Sequence, residues 1–351
     1  MSSAAARAER SVAGSTVPEA ARLASHAPAR EWLKLAGAFA AIYVVWGSTY
    51  LAIAVAVESI PPLLMMGVRS VLAGAVLYVG ARLHGAPAPA AADWRQAAKV
   101  GVLFFVFGHG LLAWSETRVP SGAAAVLIAT EPLFIVLLGW WGGRLVSRSG
   151  AAVILRPSAA ARRRRAQTSQ RRPRGARPDP LVLLAVLLGI AGVAVMMLPG
   201  VRGGIDPAGA VGLVAASFAW SVGTFHVPRT GSPFRAAGMQ LLAGGALLVV
   251  LSALLGELRG WSPLQASGDS LLALAYLVGL GSVLAFGAYN WLLHRVSTAR
   301  VASHTYVNPV IALALGAWLG GEVLGARVLL AAGMVLTAVL LLLRGRARSG
   351  G

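Results

Sequence analysis

What most constrains this chain is the recurrence of apolar stretches about as long as a bilayer is thick. A helix needs about 20 apolar residues to cross the hydrocarbon. Residues 35–57 form 23 uncharged positions between Lys34 and Glu58. Further stretches follow at 60–81 (interrupted by Arg69), 94–115, 119–143 (interrupted by Glu131), 180–201, 207–228, 236–256, 270–293, 301–321 and 323–343. These predict ten membrane-spanning helices and an all-α integral membrane protein. Lys99 and Arg327 lie near span ends, where long side chains snorkel to the interface. With 57% hydrophobic and 12% charged residues, against about 25% charged in soluble domains, a water-soluble enzyme is excluded. The absence of cysteine removes disulfides, thiolate catalysis and cysteine metal sites.

Residues 1–34 hold no apolar run of the about 7–15 residues that a signal peptide needs, so they read as a disordered cytoplasmic tail. Residues 344–351 read as a second cytoplasmic tail. Ten spans put both termini on one side. That side collects 26 of the 31 Lys and Arg, the other side four, and Arg69 lies within a span. The positive-inside rule then places both termini in the cytoplasm. It also accounts for the net charge of +19 without nucleic acid.

The chain repeats itself. Shifted by 177 positions, Trp114, Arg118, Pro132, Gly139 and Trp141 fall on Trp291, Arg295, Pro309, Gly316 and Trp318, among nine identities in 30 ungapped positions. Trp46 and Thr49 have gapped counterparts in Trp220 and Thr224. Five spans per repeat is an odd number, so the halves enter the membrane in opposite senses. Inverted repeats place a solute site at the midplane and support alternating access. The first repeat comprises 35–143 with span 5 at 180–201, and the second 207–343. Span 5 matches span 10 at an offset of 144, so residues 144–179 contain about 33 extra residues. Their run Arg162–Arg165, followed by further arginines, cannot form a core and predicts a disordered cytoplasmic insertion. Anionic lipid headgroups are its candidate partner; nucleic acid is not, because no aromatic residues interleave the arginines.

Several motifs together resemble a known family. They are Trp46-Gly47-Ser48-Thr49-Tyr50, Glu58-Ser59-Ile60-Pro61-Pro62, Arg69-Ser70-Val71-Leu72-Ala73-Gly74, Trp114-Ser115-Glu116, Thr130-Glu131-Pro132, Ala288-Tyr289-Asn290-Trp291, Tyr306-Val307-Asn308-Pro309 and Gly321-Glu322. Their order is similar to that in EamA-domain permeases of the drug/metabolite transporter superfamily. The resemblance covers residues 35–343 apart from the basic insertion, which departs from the family's short loop. It implies two EamA repeats, ten spans and export of small metabolites, amino acids or drugs across the bacterial inner membrane. It leaves the substrate, the coupling ion and a homodimer open.

Polar groups within hydrocarbon are costly and usually line a cavity or pair with one another. Glu131 lies about mid-span, directly before Pro132, and proline opens the helix turn before it. Asn308 before Pro309 is its repeat partner. These two are expected to line a solute cavity. Arg69 reads either as a solute contact or as a structural group, paired with Glu131 or capping a broken turn. Trp46 and Tyr50 share a helix face with Ser48 and Thr49 between them, and Trp220 with Thr224 forms the related pair. His109, Trp114, Tyr289, Asn290 and Tyr306 complete the candidate substrate-binding set. His304, near a span end, reads as a surface histidine.

No nucleotide-binding motif occurs, so the expected activity is gradient-driven secondary transport of a small organic solute, without cofactor or metal. The competing classes are a non-transporting membrane partner or sensor and an integral-membrane lipid-modifying enzyme. The latter would need clustered acids or histidines at a membrane face, and the 12 acids and six histidines are scattered.

Overall fold

The structure is a computed structural model describing residues 29–138, 180–197, 205–228 and 231–348, and the described residues are helix, turn and loop without strand. The expected basic insertion and most of the N-terminal tail lie outside the described residues. The helical rods are α1 (Glu31–Ala56), α2 (Pro62–Leu83), α3 (Ala91–Glu116), α4 (Ser121–Leu138), α5 (Pro180–Met197), α6 (Pro207–His226), α7 (Pro233–Leu254), α8 (Gly268–Leu293), α9 (His304–Trp318) and α10 (Ala326–Arg348). Among the described residues, α1–α4 and α6–α8 are seven helices long and apolar enough to cross a membrane. Shorter apolar helical runs occupy Leu184–Val195 and Ala326–Leu341. With 15 residues, α9 is shorter than its predicted span, because a separate turn, Thr298–Val301, precedes it.

Helix boundaries follow local chemistry. α2, α6 and α7 each carry proline in the first turn, where its missing N–H costs nothing. Asp206 and Ser232 cap α6 and α7 by accepting from the backbone N–H of Gly209 and Arg235. α2 and α7 are both 22 residues long and both stop at a left-handed glycine, Gly85 (φ 85°) and Gly256 (φ 82°).

Packing pairs elements across the two sequence halves. α2 lies along α7, α5 along α10, and α4 crosses α9. The α2–α7 seam is backbone against backbone. A Cβ on Gly74 would stand 2.8 Å from the Leu242 nitrogen, and one on Gly238 2.5 Å from that of Tyr78. α3 joins the seam, since a Cβ on Gly101 would stand 2.7 Å from the Gln240 oxygen. Small residues let membrane helices approach this closely, where dispersion between backbones replaces the absent hydrophobic drive.

Three rods contain π-helical segments, at Ala41–Val45, Val102–Gly110 and Leu277–Leu284. The latter two overlap when superposed by 177 positions. The two ends of the bundle differ in charge. At one end, Glu257 accepts from the Leu63 and Leu64 nitrogens at 3.2 and 3.0 Å. Glu322 there accepts from the Ser121 nitrogen and hydroxyl at 2.7 and 2.6 Å and from the Gly122 nitrogen at 3.1 Å. Two carboxylates of the second half thus cap α2 and α4 of the first. At the opposite, base-rich end, Arg235 instead donates to the Pro87 carbonyl at 2.6 Å and approaches Asp93 at 3.5 Å.

Candidate functional site

The site begins with a defect in α4. Pro132 has no N–H, so the carbonyl of Ile128, four residues earlier, loses its helix partner. The helix opens at Ala129–Thr130, and α6 supplies what is missing. The Ser217 hydroxyl donates to the Ile128 carbonyl at 3.2 Å and the Ser221 hydroxyl to the Glu131 carbonyl at 3.0 Å. Thr130 donates to Ser217 at 3.1 Å. The broken turn is therefore satisfied in place, and it presents the Glu131 side chain to a cavity.

That cavity, about 70 Å³, lies between α1, α2, α3, α4, α6 and α9. Its walls include Trp46, Thr49 and Tyr50 from α1, Arg69 from α2, His109 from α3, Glu131 from α4, Ser217 and Trp220 from α6, and His304 and Asn308 from α9. Arg69 is 2% exposed. It donates through Nε to the Ser282 hydroxyl at 2.8 Å and through Nη1 to the Met66 sulfur at 3.6 Å. Both acceptors are uncharged, and the side chain lines the cavity. Arg69 does not pair with Glu131, one of the alternatives the sequence offered: α8 engages Arg69 through Ser282, and His304 Nε2 faces Glu131 Oε2 at 4.0 Å.

The π segments serve the same walls. In α8 the Gly281 carbonyl accepts from Trp46 Nε1 at 3.0 Å, and a Cβ on Gly281 would stand 3.0 Å from Arg69 Nη2. In α1 the carbonyls of Ile42 and Tyr43 accept from the Asn308 amide at 3.2 and 3.0 Å, in the amide orientation that satisfies its surroundings, which also donates to His304 O at 2.9 Å.

One side of the cavity is aromatic. Trp220 stacks on Phe104 (4.3 Å between centroids) and on His109 (5.4 Å), and meets Trp46 edge-on at 5.9 Å. Tyr289 and Phe286 stack behind them at 6.0 Å. Trp220 Nε1 and His109 Nδ1 have no hydrogen-bond partner.

Of the predicted residues, Trp46, Thr49, Tyr50, Arg69, His109, Glu131, Trp220 and Asn308 line the cavity. The others do not. Ser48 hydrogen-bonds the Tyr276 hydroxyl at 2.6 Å, away from the cavity. Thr224 and Tyr289 bond each other at 2.9 Å behind the tryptophans. Asn290 turns to the Phe286 carbonyl at 3.1 Å, and Tyr306 is half-buried outside the lining. Trp114 lies beneath the Arg118 guanidinium at 4.2 Å, as its repeat counterpart Trp291 lies beneath Arg295 at 3.9 Å. Both tryptophans anchor helix ends by cation–π contact.

His304 was expected at the surface and is instead 4% exposed and in the cavity wall. The turn at Ala302–Ser303 starts α9 late and swings its first side chain inward. Sequence reasoning also missed Ser217 and Ser221. The signal was present: hydroxyls at i and i+4 on α6 match the carbonyls that a proline frees.

The comparisons with known proteins agree with this architecture. The model of the EamA-like transporter family matches twice, over residues 34–155 and 207–344. The chain is 34% identical over 320 residues to "Uncharacterized inner membrane transporter YedA" of Escherichia coli (strain K12), covering 90% of this chain and 93% of that one. It is 26% identical to a "Probable amino-acid metabolite efflux pump" of Salmonella typhimurium, covering 87% and 90%. A solved crystal structure at 19% identity shares the fold with a TM-score of 0.56, over 88% of this chain and 96% of that chain. The chain belongs to the EamA-like transporter family, and is an inner-membrane, multi-pass permease rather than an enzyme.

Proposed function

We propose that this permease exports small zwitterionic metabolites, amino acids foremost, from the cytoplasm by alternating access. Ten spans in two inverted five-helix repeats, with both termini cytoplasmic, provide the frame. One observation carries the reading: a buried cation and a buried carboxylate, Arg69 and Glu131, line one cavity without bonding each other. A zwitterion would satisfy both, its carboxylate on Arg69 and its ammonium on Glu131. The unpartnered Trp220 Nε1 and the aromatic wall would receive its remaining surface.

Size narrows the class. A water occupies about 10–15 Å³ on the scale used for such cavities, so about 70 Å³ suits a small amino acid better than a multi-ring drug. The name of the Salmonella relative, an amino-acid metabolite efflux pump, supports the same class. The test is exchange of a mixture of labelled amino acids across proteoliposomes. Saturable exchange, lost about 100-fold or more in Arg69→Gln, is expected. Absence of exchange by the wild-type protein would refute the reading.

A further inference from the structure

We infer that Glu116 is a second, outer station for the ammonium group of the solute, so that an exported zwitterion turns about Arg69 from Glu131 to Glu116 on its way out. This rests on the carrier reading and its orientation, and adds a binding site on the exit side of the cavity.

Glu116 ends α3 and is 7% exposed, yet neither of its carboxylate oxygens has a hydrogen-bond partner. A buried carboxylate without donors is costly in a membrane protein, and a group held at that cost marks a solute or ion path. The other acids at this end of the bundle are satisfied. Glu257 and Glu322 each accept donors on both oxygens. Arg118, two residues further on, lies over the ring of Trp114 instead. Helix capping and ion pairing thus leave Glu116 unused.

Its place is on the outward side of the cavity. Leu112, in the cavity wall, is one helix turn earlier on the same face of α3, so Glu116 stands about 6 Å further toward the acid-capped end. With both termini cytoplasmic, that end is the exit. Counted from there, Glu116 is the terminal residue of α3, Arg69 the eighth residue of α2 and Glu131 the eleventh of α4. The charges therefore descend as carboxylate, guanidinium, carboxylate. Arg69 and Glu116 act on each other electrostatically with no bond between them. Tyr50, in the cavity wall, feels the charge of both Glu116 and Glu131.

A zwitterion exploits that order. Its carboxylate stays on Arg69, which Ser282 anchors at 2.8 Å, while its ammonium exchanges one carboxylate for the next. An ammonium carries three donors, and Glu116 offers two free acceptor oxygens. The like charge of Glu322 also acts on Glu116, which strengthens the demand for a cation there. At the offset of 177 the repeat counterpart of Glu116 is Leu293. The cytoplasmic side thus lacks the equivalent acceptor, and the two faces of the carrier should differ in their hold on the ammonium.

Exchange of labelled mixed amino acids in right-side-out and inside-out membrane vesicles, both holding the full-length chain, tests this. Glu116→Gln keeps size and removes charge. Its half-saturating concentration at the outer face should rise about tenfold or more, the loss of one charge-assisted hydrogen bond, and stay within about twofold at the cytoplasmic face. An unchanged value at the outer face, or an equal rise at both faces, overturns the station. A second measurement uses the wild-type chain and requires no variant to fold. Dicyclohexylcarbodiimide modifies buried carboxyl groups, and mixed amino acids at the outer face should slow its reaction with the Glu116 peptide several-fold. Unslowed modification overturns the proposal. Replacing sodium by choline tests the other source of positive charge. A wild-type affinity at the outer face that needs sodium, and loses that need in Glu116→Gln, overturns the ammonium station in favour of an inorganic cation. Absence of exchange by the wild-type chain at both faces removes the carrier reading and the station with it, whereas wild-type exchange that Glu116→Gln leaves unchanged removes the station alone.

Discussion

The two proline turns, Glu131-Pro132 in α4 and Asn308-Pro309 in α9, are equivalent in sequence and differ in construction. In α4 the helix opens beside the proline, and α6 hydroxyls close the gap. In α9 the helix runs through Pro309 and breaks six residues earlier, at Ala302–Ser303. The polar side chains diverge accordingly. The Asn308 amide nitrogen lies within hydrogen-bond reach of three carbonyls, two of them in the π segment of α1. Glu131 faces no carbonyl, only the cavity and His304. The two copies thus put equivalent prolines to different uses, one side chain bonded to carbonyls and the other turned to the cavity. An amide can donate to carbonyls and a carboxylate cannot, which is why the acid is on the α4 side.

Substitutions at paired positions probe this division. The largest effect should come from the glycine seam. Gly101→Val would drive its methyl groups into the α7 backbone and cost more than about 4 kcal/mol, seen as loss of folded protein in detergent. Its repeat counterpart is Val278, so the same contact is absent between α8 and α2, and Val278→Ala should cost only about 1 kcal/mol. Equal costs would remove the asymmetry. Next, Asn308→Asp sets a carboxylate against the carbonyls of Ile42, Tyr43 and His304, and should cost about 3 kcal/mol. Glu131→Asn should leave the thermal midpoint within about one kcal/mol equivalent of wild type, measured on the same instrument, though transport is lost. Glu322→Ala removes both the α4 cap and the Ser121 contact, for about 1–2 kcal/mol. The smallest effect should be Ser217→Ala, about 1 kcal/mol from the orphaned Ile128 carbonyl. No change there would mean that α4 relaxes its broken turn unaided.

Much of the architecture was legible because bilayer thickness fixes helix length and proline fixes where a helix fails. The apolar stretches gave the rods, the offset of 177 matched Trp114–Arg118 with Trp291–Arg295, and the Glu-Pro motif pointed to the cavity. What escaped was direction. Five residues of α1, Trp46 to Tyr50, contain both cavity-lining and outward-turned groups, and only the neighbours decide that Ser48 looks to Tyr276 while Thr49 looks inward. His304 was misread because span ends cannot be located within a turn from apolarity alone. Tyr289 and Thr224 were the right type on the right helices, one layer behind the wall. The π segments share no composition, since Ala41–Val45 lacks the glycines of the other two, so the contacts their carbonyls make with Trp46 and Asn308 could not be foreseen.

Arg69 reaches its Ser282 partner across 213 residues of chain. The ribosome therefore delivers α2 to the translocation machinery long before α8, or the glycines of α7, have been synthesised. For that interval a guanidinium stands in mid-helix with no acceptor from its native set except the Met66 sulfur on its own rod, at an insertion cost on the order of 2.5–3.5 kcal/mol. The Arg69–Ser282 bond thus sets the order of assembly: α2 must wait at the translocon or under a chaperone until the second half arrives. Truncated nascent chains ending before α8 should remain extractable and sensitive to proteolysis, whereas chains ending after it should not.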